Sequence, residues 1–330
     1  MKLIWIVPLA LAGLAIALEV GLRLIFGFGK PLVYIADPEI GYLLAPSQTT
    51  RRFGNRIQIN EYSMRSNSPI QPLPDDVFRV LLLGDSIVNG AWWTDQSETL
   101  SALIEQQLTA ANSDAADPQS TSQISNPLQR MEVLNASANS WGPPNQIAYL
   151  RKFGVFQAQV IVLVINTDDL FAGIPNPEMV GQDPNYPNHK PALAILEVAN
   201  RYRSRQQSAR FPVPTPPKDI VGFNLEAIQA IHSTATQQGI EFLLAHTPLL
   251  REVGQPGPRD YELKARQRLQ DLAQGHNIDY IDFLPQFNQA EQPQMLYRDH
   301  IHLSSEGNQQ VSQAIRQKVQ PFTHLQSKPG

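Results

Sequence analysis

Val77-Phe78-Arg79-Val80-Leu81-Leu82-Leu83-Gly84-Asp85-Ser86 is the stretch on which the fold turns. Its apolar run has strand length and does not alternate with polar residues, the pattern of a parallel strand covered on both faces. The small-residue turn behind it leaves a serine at the strand's carboxyl end, the edge where open α/β sheets build their sites. A serine hydroxyl is a nucleophile only when a positioned base takes its proton. Near the other end of the chain, Asp299-His300-Ile301-His302 offers a histidine base and a carboxylate to orient its second nitrogen.

Working outward, four more runs read as buried strands: Met131 to Leu134, Val160 to Ile165, Ile240 to Ala245 and Ile278 to Ile281. Helical patterns lie between them. Leu100, Leu103, Ile104 and Leu108 keep one face, with Asp95 and Glu98 as a capping box. Pro143-Pro144 opens a second helix that stops near Gly154. Leu225, Ile228 and Ile231 mark a third ending at Gly239, and Leu263, Leu269 and Leu272 a fourth ending at Gly275. Val311, Ala314 and Ile315 mark the last. This alternation predicts a three-layer α/β/α sandwich, a doubly wound parallel sheet of about five strands in flavodoxin-like order 2-1-3-4-5.

One segment breaks the rhythm. Phe171 to Asp219 is proline-rich, and its centre, Ala192 to Arg205, has helical character and carries Arg201, Arg203 and Arg205. A loop this long in a compact domain is functional or disordered. It reads either as a solvated insertion or as a lid that contacts an acyl chain or glycan at the catalytic edge.

Composition narrows the function classes. The chain has 330 residues and a net charge of -4, so nothing electrostatic supports nucleic-acid binding. Cysteine is absent, which removes disulfides, thiolate nucleophiles and Cys-ligated zinc. The seven histidines show no metal-ligand spacing, so neither metal nor cofactor is expected. Leu3 to Leu18 carries no charge, and if Glu19 and Arg23 neutralise one another as an i,i+4 pair, the apolar stretch reaches Phe28. We read residues 1–28 as a transmembrane signal-anchor with the catalytic domain outside the cytoplasm. Ala15-Ile16-Ala17 resembles a signal-peptidase site, which makes a cleaved signal peptide the competing reading. Lys2 and Lys30 flank the segment equally and leave orientation unsettled by charge. Residues 29–76, rich in Pro, Asn, Ser and Arg, read as a stalk packing on the edge of a domain over 77–320. The insertion covers 171–219, and 321–330 form a tail.

Leu83-Gly84-Asp85-Ser86-Ile87-Val88-Asn89-Gly90 resembles the first sequence block of the SGNH, or GDSL, hydrolases, and Asp299-His300-Ile301-His302-Leu303-Ser304 resembles their last. Asn135 to Gly142 falls where their second block belongs, and Val164 to Asp169 where that family has Gly-x-Asn-Asp. The resemblance spans about residues 76 to 320. It implies Ser86 as nucleophile, His302 as base and Asp299 as orienter, with an oxyanion hole built from the Ser86 amide, a second-block glycine amide and a third-block asparagine. The glycine position aligns with Ser140, with Gly142 as neighbour, and the asparagine position aligns with Asp168. An ionised carboxylate repels an oxyanion. Either Asp169 and burial keep Asp168 protonated, or Asn166 or Asn139 substitutes, or the hole is weak. Asn135 is expected to stabilise the turn after the second strand, His300 to flank the triad, and Asp282 to be a rival orienter.

The expected function is a serine esterase that cleaves acetyl or other short acyl esters through an acyl-enzyme. The substrate is then a small-molecule, glycan or lipid ester. The alternatives are an envelope glycan O-acetyltransferase using the same triad and a non-catalytic binding module.

Overall fold

The computed structural model describes residues 3–115, 130–204, 212 and 214–327. Its first part comprises α1 (Leu3–Leu24) and the strands β1 (Tyr34–Asp37), β2 (Gly41–Leu44), β3 (Gln48–Arg52) and β4 (Asn55–Ile59). There follow β5 (Val77–Gly84), α2 (Ser86–Asn89), α3 (Leu100–Ala115), β6 (Arg130–Ser137), α4 (Pro143–Phe153) and β7 (Val160–Asn166). The remainder comprises α5 (Ala194–Ser204), α6 (Ile220–Gln237), β8 (Glu241–Thr247), α7 (Asp260–Gly275), β9 (Asp279–Asp282), α8 (Leu284–Asn288) and α9 (Ser305–Val319). Lys2, Arg205 and the last three tail residues lie outside the described residues.

Five strands form one parallel sheet in the order β6-β5-β7-β8-β9, which is the expected 2-1-3-4-5. Alternation within each strand divides the core into two layers. Leu81, Leu83, Ile161, Leu163 and Leu244 face α4, α6 and α7, whereas Val80, Leu82, Val162 and Val164 face α3, α8 and α9. Every residue of β5 and β7 is buried, so neither strand needs a polar face. Asp95 caps the short 3-10 turn Gln96–Glu98 by accepting from Ser97 N, and α3 starts only at Leu100, so the expected capping box is displaced by one turn.

Residues 29–76 pack on the sandwich through two hairpins. β1 pairs antiparallel with β2 and β3 with β4. Tyr42, Leu44, Ile57 and Ile59 join the core layer that also holds α4 and α6. Arg65 is fully buried and donates to the carbonyls of Asn89, Ala91 and Thr94, the loop directly behind α2. Short strands with few apolar residues bury little alone, and here docking on the sandwich supplies the missing cover.

α1 is long and apolar enough to cross a membrane, a test that anchors and signal sequences both pass. Glu19 and Arg23 do pair, at 2.6 Å, but both also bond the insertion.

Candidate active site

The site is assembled at the carboxyl ends of β5, β6 and β7, where the strands stop and their turns begin. β5 ends at Gly84 because a Cβ there would collide with Val88 and approach Val164 O. The tight passage lets α2 start at once, with Ser86 as its first residue. Asp85 caps it, its Oδ1 accepting from Ile87 N at 2.8 Å, and Gly90 closes it with a left-handed φ of 70°.

The Asp299 to His302 loop lies just before α9, whose N-cap Ser304 accepts from Gly307 N. Arg298 N donates to His302 O at 2.8 Å and closes this loop. His302 Nε2 lies 2.9 Å from Ser86 Oγ, and Nδ1 lies 2.8 and 3.0 Å from the two Asp299 oxygens. Burial acts to raise the Asp299 carboxyl, but hydrogen bonds from the His302 and Ile301 amides and from the ring outweigh it and hold it below its ordinary range. An ionised Asp299 fixes the Nδ1–H tautomer and leaves Nε2 as an acceptor toward the serine. Trp93 packs against the ring, centroids 4.4 Å apart and planes tilted by 58°. His300 projects away: its side chain is 82% exposed, and Nδ1 is 3.9 Å from Asp299. Asp282 is engaged elsewhere, paired with Arg266 and accepting from Leu284 N, so it is not an orienter of His302.

The predicted oxyanion candidates separate by the fate of their hydrogens. Gly142 N is taken by Asn145 Oδ1 at 2.9 Å. Asn166 Nδ2 donates to Asp85 Oδ2 and to Asp169 Oδ2, each at 3.0 Å, which commits both its hydrogens. Asp168 is exposed, gives its amide to Asn166 Oδ1, and does not line the cleft that holds Ser86. The structure therefore brings neither Gly142 nor Asn166 to a substrate oxygen as a donor, and the expected repulsion from Asp168 does not arise. Ser86, Asn139 and Ser140 do line the cleft. The amides of Ser86 and Ser140 have no acceptor among the described residues. Ser140 has φ 58°, a left-handed conformation that aims its amide away from the local chain path, and its Oγ accepts from Tyr186 OH at 2.9 Å. Asn139 Oδ1 is buried without a partner, and as an acceptor it cannot meet an oxyanion, so only Nδ2 makes this side chain a candidate donor.

Two buried carboxylates stand behind the nucleophile position. Burial pushes Asp85 up to about 6, although the Ile87 amide and His302 act in the other direction. Burial, followed by the charge of Asp85, pushes Asp169 well above the usual carboxylate range. Asn166 bridges the two, a scaffolding role set by its cap of the turn Thr167–Phe171. Asn135 also differs from expectation. It sits inside β6 and donates to Val88 O and Ser101 Oγ, tying the strand to α2 and α3 rather than stabilising a turn.

Sequence reasoning missed Arg65, Trp93 and Tyr186, and also a buried network at the sheet end. In that network Thr167 bonds His246 and Glu252, and Arg266 bonds Thr167 and Asp282. The one local signal was Trp92-Trp93, two residues after Gly90. Among the described residues no group of three or more His, Cys, Asp or Glu is placed to hold a metal. The cleft measures about 250 Å³, and Tyr186 and Arg201 bring the insertion to its wall.

Residues 82–310 match the family model described as GDSL-like Lipase/Acylhydrolase family. Solved structures are similar at low identity. The lipase/acylhydrolase from Enterococcus faecalis is 15% identical, with 74% of this chain and 96% of that one covered and a TM-score of 0.43. The acetyl xylan esterase AlAXEase is 15% identical, with coverage of 73% and 100% and a TM-score of 0.46. Axe2, an acetylxylan esterase from Geobacillus stearothermophilus, is 14% identical, with coverage of 73% and 94% and a TM-score of 0.45. A search of curated proteins finds no match.

Proposed function

This chain belongs to the GDSL-like lipase/acylhydrolase family and is a hydrolase of ester bonds, and from that premise we propose that it is a serine esterase working through an acyl-enzyme. One observation carries the reading: Ser86 Oγ, His302 Nε2 and the Asp299 carboxylate form a continuous relay, 2.9 and 2.8 Å long, at the rim of a cleft. As Ser86 Oγ bonds to the acyl carbon, its proton moves to His302 Nε2, and Asp299 stabilises the resulting imidazolium. The carbonyl oxygen becomes an oxyanion, met by the Ser86 and Ser140 amides with Asn139 as the third candidate. The acyl–oxygen bond then breaks, His302 protonates the departing alcohol, and the acyl group remains on Ser86. Water attacks next, giving its proton to His302, and Ser86 leaves as the hydroxyl. The cleft is small for a ligand site, below the usual range of about 300 to 1,000 Å³, which favours a short acyl group.

Ser86→Ala is the test. It is expected to reduce p-nitrophenyl acetate turnover by about 10⁴-fold or more with unchanged melting temperature. Turnover within tenfold of the parent protein would defeat the proposal.

A further inference from the structure

Helix α5 is built inside out for a helix in water. Its inward face carries Ala194, Glu197 and Arg201, with Glu197 buried against Arg52, while Leu196 and Tyr202 point outward at 47% and 67% exposure, beside exposed Val198, Asn200 and Arg203. Leu193, just before the helix, is equally exposed at 47%. A charged inner face and an outer one with Leu193, Leu196, Val198 and Tyr202 exposed leave apolar surface that needs a cover.

The contacts of α5 identify that cover. α1 has 22 residues, about 33 Å at 1.5 Å per residue, which matches a hydrocarbon core of about 30 Å. Near its carboxyl end, Glu19 accepts from Ala194 N at 2.8 Å and from Ile195 N at 3.0 Å, and Arg23 donates to Ala192 O at 2.7 Å. The first turn of α5 is thus clamped to the last two turns of α1, at headgroup depth if α1 crosses a bilayer. From the same level a row of rings leads inward. Phe26 contacts Phe53 at 5.8 Å, Phe53 contacts Trp92 at 5.0 Å, Trp92 contacts Trp93 at 5.5 Å, and Trp93 contacts His302 at 4.4 Å. Phe26, Phe53 and Trp92 are each partly exposed, as rings at a membrane interface are.

We infer that the cleft is fed from a lipid bilayer: α1 crosses it, α5 lies in its surface with Leu193 and Leu196 inserted, and the hydrolysed ester is carried on a membrane-embedded amphiphile that reaches Ser86 along the aromatic row. The inference rests on the serine-esterase reading and adds to it where the substrate comes from. A cleft too small for a whole amphiphile takes only its ester end, and the remainder stays on the apolar path outside.

The experiment uses the full chain in phosphatidylcholine vesicles, with hexadecyl acetate dissolved in the bilayer as probe, so that the acyl group stays short, and p-nitrophenyl acetate as the water-borne control. Leu193→Glu with Leu196→Glu is expected to lower hexadecyl acetate hydrolysis by at least about tenfold while p-nitrophenyl acetate hydrolysis stays unchanged, because the water-borne ester does not pass through the bilayer. Equal retention of both activities overturns the inference and leaves the esterase reading standing. Loss of p-nitrophenyl acetate hydrolysis by the parent protein defeats the esterase reading instead. A second measurement is independent of turnover. The chain has no cysteine, so Leu196→Cys takes a single environment-sensitive fluorophore. Blue-shifted emission quenched by a lipid-borne quencher supports insertion, and water-like emission overturns it.

Discussion

Replacing Asp299 by asparagine tests the proposed relay at its least visible member. The new side chain keeps an oxygen for the Ile301 and His302 amides, which now reach Oδ1 at 3.0 and 2.9 Å. What faces His302 Nδ1, at the present 2.8 Å, is then an NH₂ group. The ring answers with an unprotonated Nδ1, so its hydrogen moves to Nε2 and points at Ser86 Oγ, and a donor there cannot take the serine's proton. Two losses follow. A carboxylate about 4 Å from an imidazolium stabilises it by about 4 kcal/mol at an effective dielectric of 20. The Asp299 side chain is 39% exposed, and solvent screening cuts this to about 2 kcal/mol, or about 30-fold in rate. Restoring the productive tautomer against a mismatched amide costs about 2 kcal/mol more. The product is a fall in kcat of about 10³-fold. Asp299 does not line the cleft, so KM should stay within about threefold. Steady-state hydrolysis of p-nitrophenyl acetate with a parallel melting curve measures both. More than a tenth of the parent kcat in a variant that melts normally would refute the role given to Asp299.

Ser140→Gly retains the amide while removing the hydroxyl and the side-chain penalty at φ 58°. The released strain of about 1 kcal/mol offsets the lost bond to Tyr186, so kcat within about threefold and an unchanged melting temperature are expected, and a fall beyond about 100-fold would mean that the hydroxyl, not the amide, is what counts. Asp169→Asn removes one of the two buried carboxylates. Because burial raises both in the folded chain, the native state holds protons that the unfolded state releases above pH about 4, and stability falls as pH rises from there through about 6. The variant's melting temperature should therefore gain on the parent's as pH rises above about 4, by about 2 °C at neutral pH, and a difference independent of pH would contradict a raised Asp169 carboxyl.

The sheet and the relay were legible because both are written in side-chain identity. Buried strands require apolar runs, and a serine needs a base that only a few residue types supply, so Ser86 stood out at a strand end and Asp299 and His302 in the loop before the last helix. The oxyanion candidates were legible only through the family resemblance, which pointed to the Ser86 amide and to Ser140, and not from the residues themselves. The Ser86 and Ser140 amides are backbone groups that any residue but proline provides, and what distinguishes Ser140 is a φ that no neighbouring residue announces. Asn166 misled because its fate is decided by Asp85, which sits 81 positions away in the chain. Residues 29–76 read as a linker because their strands are four or five residues long and only become core when laid on α4 and α6. The helical character of α5 was readable from its period, but its inverted exposure was not, since only the Arg52 to Glu197 pair reveals which face is inside.

That pair couples the two parts of the molecule that the strands do not control. Glu197 takes Gly29 N at 2.6 Å from the segment leaving α1, Arg52 from β3, and Arg201 from its own helix at 3.0 Å. One carboxylate thus joins the end of the apolar helix, the second hairpin and the insertion, and Arg52 and Arg201 both line the cleft beside Ser86. The sheet edge fixes the reacting atoms through rigid strands. The shape of the cleft depends instead on how α5 and the hairpin meet, and α5 is in turn held by α1. The shape of the cleft beside Ser86 and the seating of α1 therefore share one set of contacts, and a change at Glu197 reaches both.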